Sequence, residues 1–248
     1  MGAPAVEFCE VSFAYRGQTG ALSVLDRVSL AVSHGGWATL VGPSGCGKTT
    51  LLKIGARLLE PDSGTVRVQD GGDGPRIAYM PQADTLLPWR DALGNALLPA
   101  EATGRNRAQA RAEAQAPFHE FGLAGFERSY PHELSGGMRQ RLALMRTLLS
   151  RGEVLLLDEP FGALDALTRT ALQDWLAAAR IFRRKTVLLV THDVEEAVLL
   201  SDQVHVLSPR PARVVATLPV ALPHPRLRTD PRIAQARADI LKNLASHA

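Results

Sequence analysis

Eight consecutive residues, Gly42-Pro43-Ser44-Gly45-Cys46-Gly47-Lys48-Thr49, are of the types and in the order that hold a polyphosphate. They complete the pattern G-x-x-x-x-G-K-[ST]. An apolar run that reads as a strand, Trp37 to Val41, precedes them, and one that reads as a helix, Thr49 to Leu59, follows. Glycines at these positions let backbone N–H groups crowd around phosphate oxygens, and the emerging helix points its positive dipole end at them. Lys48 is placed to reach the β- and γ-phosphates, the Thr49 hydroxyl is a ligand for Mg²⁺, and Thr50 follows in the same first turn. A chance glycine-rich turn would rarely match all four fixed positions with these flanks, so the chain reads as nucleotide-binding.

A second set of groups belongs to the same chemistry. Val154-Leu155-Leu156-Leu157-Asp158-Glu159 is an apolar strand that ends in two carboxylates. Beside a phosphate loop, Asp158 suits coordination of Mg²⁺, directly or through water. Glu159 follows where an attacking water would sit, as general base or as orienter of that water. Two solvated acids at a strand end would be the better reading without the phosphate loop; with it, that reading weakens.

Positioning these groups requires alternating strands and helices. Val6 to Phe13 and Val28 to Val32 read as strands, and Gly35-Gly36 marks the turn into Trp37–Val41. The helix after the phosphate loop is expected to end near Leu59, where Glu60-Pro61-Asp62-Ser63-Gly64 is turn chemistry. Thr65–Val68 and Arg76–Tyr79 read as short strands joined by the loop Asp70 to Gly74. From about Asp91 to Ser150, Ala, Leu, Arg and Glu dominate and strand signals vanish, which predicts a helical insertion punctuated by Pro99, Gly104 and Pro117. Alternation then resumes. Glu153–Leu157 and Thr186–Val190 read as strands, Leu167–Phe182 and Val194–Leu200 as helices, and Val204–Leu207 with Arg213–Leu218 as a last pair of strands. Pro209 to Pro225 is expected to be an extended surface passage, and Arg232–Ala245 a short terminal helix. The pattern implies an α/β protein whose mostly parallel sheet carries ligands at the carboxyl ends of its strands.

Composition narrows the class. A chain of 248 residues with 46% hydrophobic content can bury one sizeable core. A net charge of +3 is too small to argue for nucleic acid, and Arg183-Arg184-Lys185 reads as a solvated helix end. Cys9 and Cys46 do not make a disulfide framework, which fits a reducing cytosol. Met1 to Glu7 lacks the basic-then-apolar pattern of a signal peptide, and no run approaches the roughly 20 apolar residues that span a bilayer.

With these residues in place, the chain resembles the nucleotide-binding subunit of an ATP-binding cassette (ABC) transporter over nearly its whole length. The decisive stretch is Leu134-Ser135-Gly136-Gly137-Met138-Arg139-Gln140, similar to the family's signature motif. Ser135 with Gly136 and Gly137 at a helix start offers a hydroxyl and outward N–H groups, a second anion-binding surface in a chain that already has one. The resemblance explains the surplus: two copies pack head to tail and sandwich two ATP molecules. By chance alone, Ser-Gly-Gly would be an ordinary helix cap.

The resemblance implies further roles. Tyr15 matches the aromatic that stacks on adenine, Gln82 the glutamine that senses Mg²⁺ and the attacking water, Asp165 the aspartate that communicates across the dimer, and His192 the switch histidine at the γ-phosphate. It implies a P-loop NTPase core, an antiparallel β subdomain and an inserted α-helical subdomain at about 91–150. Residues 1–248 then form a single ABC ATPase domain, with a short extension at about 209–248 and no regulatory domain. An active ATPase using ATP and Mg²⁺ is implied, with a second copy of itself and integral membrane permease subunits as partners. A solute-binding protein takes part indirectly, nucleic acid does not, and the location is the cytoplasmic face of the inner membrane, held peripherally.

Leu86-Leu87-Pro88-Trp89-Arg90-Asp91 is a candidate contact for the permease, with a core tryptophan at the subdomain junction as the equal alternative. This run, Glu159 to Arg169 and Leu207 to Arg213 are similar to importers of the nitrate, sulfonate and taurine group, which includes importers of pyrimidine-type precursors. One departure stands out: Ile54-Gly55-Ala56-Arg57-Leu58-Leu59 lacks the Gly-Leu common near the end of the helix after the phosphate loop. It is expected to alter surface packing and leave the chemistry alone. The rival readings are a soluble cassette ATPase acting on DNA or ribosomes, a phosphate-loop kinase, in which Ser135 would have no role, and the ATPase subunit of an exporter.

Overall fold

In a computed structural model, residues 4–18, 20–68, 77–178 and 185–246 are described. Two sheets organise them. In the larger, the strands β3 (Trp37–Val41), β5 (Ile77–Met80), β6 (Val154–Asp158), β7 (Thr186–Val190), β8 (Gln203–Leu207) and β9 (Val214–Pro219) lie in the order β5-β6-β7-β3-β8-β9. The first five are mutually parallel, and β9 runs antiparallel to β8. Every residue of β6 and β7 is buried. This is why both read as unbroken apolar runs: a parallel strand covered on two faces has no solvent side to mark with polar residues.

The smaller sheet is antiparallel, with β1 (Pro4–Gly17) between β2 (Gly20–Ser33) and β4 (Ser63–Val68). Its apolar face, including Phe8, Val28 and Leu30, packs with Leu40, Leu51 and Leu52 into one core. A second core lies on the other side of the parallel sheet and runs through Leu155 and Leu157 into the helical segment at Leu142, Leu144 and Phe118. That segment holds α2 (Ala92–Ala96), α3 (Leu98–Ala102), α4 (Arg107–Glu120), a 3₁₀ turn (Pro131–Glu133) and α5 (Gly136–Leu148). None of residues 91–150 is in a strand, as the composition predicts. After β6 come α6 (Ala166–Ala178), α7 (Val194–Leu200) between β7 and β8, and α8 (Pro231–Ala245). The expected loop Asp70 to Gly74, the end of the Leu167 helix and the Arg183-Arg184 pair lie outside the described residues.

Three expectations are corrected. The helix after the phosphate loop, α1 (Lys48–Gly55), stops earlier than Leu59. Gly55 passes so close to the Phe8 ring that a Cβ would meet it at 2.9 Å, and the chain then turns away. Pro117 does not end α4, which runs three residues beyond it. The passage Pro209–Pro225 is not merely surface: Val220 is buried, and the neighbouring Arg226 is buried with its guanidinium on the carbonyls of Val198, Ser201, Val220 and Leu222. It satisfies the open end of α7 that a local sequence reading leaves unpaired.

The ends of α1, α3 and α4 share one motif. In each, a residue at positive φ follows the cap and the next N–H reaches back to the carbonyl five residues earlier: Leu58 to Lys53 (2.8 Å), Arg105 to Ala100 (2.9 Å), Leu123 to Phe118 (2.8 Å). In α3 and α4 the left-handed position is Gly104 and Gly122; in α1 it is Arg57, with φ of 60° and an exposed side chain. A side chain there costs about 1–2 kcal/mol, partly offset by the greater freedom glycine has when unfolded. The missing glycine thus carries a backbone penalty, not only a change of surface. Arg57→Gly should raise stability by about 0.5–1 kcal/mol, measured as a higher urea midpoint at unchanged slope.

Candidate functional site

The parallel sheet brings the carboxyl ends of its strands to one edge, and the groups singled out in the sequence sit there. Gly42 follows β3, Asp158 ends β6, Thr191-His192 follows β7, and Pro81-Gln82 follows β5. The phosphate loop is closed by proximity as much as by local turn preference. A Cβ on Gly47 would lie 2.7 Å from Val24 Cγ1 and 2.9 Å from Leu25 Cδ2, and one on Gly42 would lie 3.0 Å from the Leu207 carbonyl oxygen. Gly47, with φ of 123°, starts α1 in a conformation that side chains avoid. The Lys48 ammonium donates to the loop carbonyls of Gly42 and Pro43, both at 2.9 Å, and Cys46 is buried beneath.

A cleft of about 380 Å³ opens at this edge. Ser44, Gly45, Gly47, Lys48, Thr49 and Thr50 line one side. Tyr15, Leu22 and Val24 come from the antiparallel sheet, and Gln82, Glu159 and Arg210 complete the lining. Tyr15 lies on the middle strand of its sheet; its ring is 41% exposed and its hydroxyl lies 3.2 Å from Thr50 Oγ1. An exposed aromatic anchored by its polar end suits a flat apolar ligand group. Asp158 lies below the cleft, buried. Its Oδ1 accepts from the Thr49 hydroxyl at 3.1 Å, while Oδ2 has no protein partner among the described residues. Burial first, and then the charge of Glu159, hold its carboxyl above the ordinary range. A buried carboxylate with a spare oxygen, next to a hydroxyl, is the hard-oxygen chemistry that Mg²⁺ takes. The hydroxyl of nearby Tyr79 is pushed up to about 12 by burial and by Asp158.

Glu159 joins the strand ends. It has a left-handed backbone, φ 47°, held by its N–H to the Val190 carbonyl (2.9 Å) and by Gln140 Nε2 to the Pro160 carbonyl (3.2 Å). A non-glycine residue in this region stores strain and is found where a side chain must be aimed. Its Oε2 accepts from Gln82 Nε2 at 3.2 Å and lies 3.5 Å from His192 Nδ1. Gln82, Glu159 and His192, spread over 110 positions of the chain, therefore form one polar cluster at the phosphate-loop edge.

Other predicted residues lie elsewhere. Ser135 caps α5, accepting from the Met138 N–H at 3.2 Å, with Gly136 exposed and Gly137 half-buried in the same turn. None of the three lines the cleft of its own chain. Asp165 is exposed and accepts from the Thr168 N–H (3.0 Å), a bond that lowers its pKa. Residues that sequence reasoning missed include Leu22 and Val24, which carry no motif, Arg210, which stands only within the Leu207–Arg213 similarity, and Gln140, which the signature contains without an assigned role. Arg139 and Arg146 of α5 were likewise unassigned. They bind Asp84 Oδ2 (3.0 Å) and the carbonyl of Asp84 (2.9 Å), tying the stretch after Gln82 to the helix that Ser135 begins.

The sequence profile described as "ABC transporter" matches residues 25–162. The formylaminopyrimidine import ATP-binding protein ThiZ of Halalkalibacterium halodurans is 41% identical, covering 96% of this chain and 93% of its own length. The aliphatic sulfonates import ATP-binding protein SsuB 1 of Rhodococcus jostii is 44% identical over 90% of this chain and 87% of its own. Among solved structures, the dimeric bacterial ABC transporter cassette MJ0796 superposes with a TM-score of 0.78 at 27% identity, covering 88% of this chain and 99% of that one. Its post-hydrolysis form bound to ADP and Pi gives 0.76.

Behind His192, Glu196 of α7 is buried against Gln173 Nε2 (3.2 Å), and one of its oxygens lacks a partner. Burial first, then Asp193, raises its pKa to about 8. Folding therefore favours the protonated form: the contribution is fully present below the unfolded carboxyl value and is lost as pH rises to about 8. Glu196→Gln, which keeps the hydrogen-bonding shape without the charge, should raise the melting temperature at pH 8.5 by several degrees and leave it nearly unchanged at pH 4.5. Equal shifts at both pH values would mean that Glu196 is not titrating in this range.

Proposed function

The chain is an ATP-hydrolysing member of the ABC transporter family, and we propose that it powers solute uptake through a separate membrane permease by closing and reopening a head-to-tail dimer of itself. The observation that carries this reading is the split between two anion-binding surfaces. Lys48 and the Glu159 cluster share a cleft, while Ser135 sits exposed at the start of α5 with no place in that cleft. A cap that already satisfies its own helix and still presents Gly136 and Gly137 outward suits the terminal phosphate of a nucleotide held by another copy. The dimeric cassette structures support that arrangement.

In this reading Tyr15 receives the adenine, and the loop Gly42–Thr49 wraps the phosphates, with Lys48 exchanging its loop carbonyls for phosphate oxygens. Thr49, Asp158 and Gln82 would hold Mg²⁺, which neutralises charge on the phosphate oxygens when bound. Ser135 and Gly137 of the partner copy capture the γ-phosphate, and Asp165 lies on the surface brought to the other copy. Glu159, aimed by Gln82 and His192, takes the proton of the attacking water, and His192 contacts the γ-phosphate side. Hydrolysis leaves two separate anions in one cleft, and their repulsion reopens the interface.

Motion reaches the permease through the helical segment. Arg139 and Arg146 bind the stretch after Gln82 to α5, so a shift of Gln82 moves both. Trp89 is 71% exposed, which removes the core alternative for it and leaves an aromatic, flanked by Pro88 and Arg90, free for docking. No helix among the described residues is long and apolar enough to cross a membrane. The protein works peripherally at the cytoplasmic face of the membrane, with a solute-binding protein acting through the permease. The relatives named for import favour uptake, of a sulfonate-, nitrate- or taurine-like solute or a pyrimidine-type one. They also disfavour the DNA- or ribosome-associated and exporter readings.

Glu159→Gln should lower kcat by about 10²–10⁴-fold and accumulate an ATP-bound dimer in light scattering. A variant that stays monomeric with ATP, or turns over at the unaltered rate, would contradict the assigned role. Trp89→Ala should weaken co-purification with the permease by about 2 kcal/mol or more, read as the detergent-resistant fraction retained.

A further inference from the structure

The cleft contains one cation to which no motif assigns a chemical role. Arg210 lies in the turn between β8 and β9, and that turn is locked in place. Its two ends are joined by the Ser208 N–H to the Arg213 carbonyl and the Arg213 N–H to Ser208 Oγ, both at 3.0 Å. Its far side adds a short parallel bridge to β2: the Ala212 N–H donates to the Val24 carbonyl (2.8 Å) and the Asp26 N–H to the Ala212 carbonyl (3.0 Å). Ala212 is fully buried, and the Arg213 guanidinium grips Asp26, with Nε to Oδ2 at 2.9 Å. Val24 is also the residue against which Gly47 of the phosphate loop packs, and Leu207 presses on Gly42. The turn, β2 and the phosphate loop are thus held at fixed mutual distances.

On this braced turn Arg210 is exposed and lines the same cleft as Lys48 and Thr49. The neighbouring arginines are engaged: Arg213 on Asp26, and Arg226 on buried carbonyls. Arg210 has no hydrogen bond or ion pair among the described residues. Lys48 is the one other cation in the lining, and Glu159 adds negative charge. A polyphosphate brings several more negative charges into that space. A planar guanidinium with all its donors open matches phosphate oxygens in geometry as well as charge.

We propose that Arg210 is a further nucleotide-binding residue, which engages the polyphosphate of ATP from the β8–β9 turn. The proposal rests on the reading of this cleft as the ATP site. Phosphate engagement also makes the turn, and through Arg213 and Ala212 the strand β2, part of the nucleotide-bound structure. That links the C-terminal third of the chain to the occupancy of the phosphate loop.

The test measures affinities of the full chain for ATP, ADP and adenosine by competition against a fluorescent ATP analogue, at low and high salt. Wild type, Arg210→Ala, Arg210→Lys and Lys48→Ala are compared. Arg210→Ala should weaken ATP by about 5–10-fold, the range of an exposed charge-assisted contact. The loss should be smaller at high salt, Arg210→Lys should recover part of it, and adenosine binding should not change. Ligand-free melting curves should coincide, since the side chain holds nothing in the fold. If Arg210→Ala binds ATP like wild type while Lys48→Ala loses it, the ATP site stands and the role of Arg210 falls. If adenosine weakens as much as ATP, the contact is to the base and the polyphosphate assignment is wrong. If Lys48→Ala and wild type bind ATP alike, the reading of the cleft itself fails and takes the proposal with it.

Discussion

Parallel pairing of buried strands is the constraint on which the site depends. β5, β6, β7, β3 and β8 run in one direction, so their carboxyl ends must finish along one edge. Each strand delivers there what its neighbours lack: a glycine loop, a buried carboxylate, a histidine, a glutamine, and the turn that carries Arg210. The register of these pairs sets one wall of the site, and the antiparallel sheet adds Tyr15, Leu22 and Val24 to it. Asp158 stands opposite Val190 in that register, which sets the neighbouring Glu159 close to His192. A slip of one residue would send every second side chain to the wrong face.

The same edge is where the protein tolerates strain and orphaned polarity. Glu159 takes a left-handed backbone, Asp158 keeps an unpartnered buried oxygen, and Lys48 rests on its own loop carbonyls. The unpartnered Asp158 oxygen and the left-handed Glu159 are costs that the fold carries at this edge. Other open groups are met within the chain: Arg226 covers four carbonyls, and Gly104 and Gly122 end their helices without strain. Arg57, away from the site, ends its helix in the same left-handed backbone with a side chain in place of glycine.

Much of the fold was legible because its signals are local. β3, β7 and α7 occupy the spans that the sequence pattern indicates. The helical insertion followed from composition, and the phosphate loop from fixed spacing. What failed were features set by contacts distant in sequence. α1 ends at Gly55 where the chain meets the Phe8 ring, and Arg226 buries itself against α7 just after a passage that reads as surface. Trp89 could have been core or contact on its sequence alone; its exposure rules out the core.

The candidate site divides in the same way. The residue order alone singled out the candidate groups for phosphate and metal, since glycines, a lysine, a threonine and paired carboxylates at those spacings have few other uses. It also singled out the turn at Ser135 as a candidate second anion-binding surface. Only the tertiary structure decided that Gln82, Glu159 and His192 meet, that Ser135 lies outside its own chain's cleft, and that Arg210 lies inside it. The physical reason is that motif chemistry depends on neighbours within a few residues. Convergence depends on strand order, register and the packing of two sheets, which no short stretch of the chain encodes.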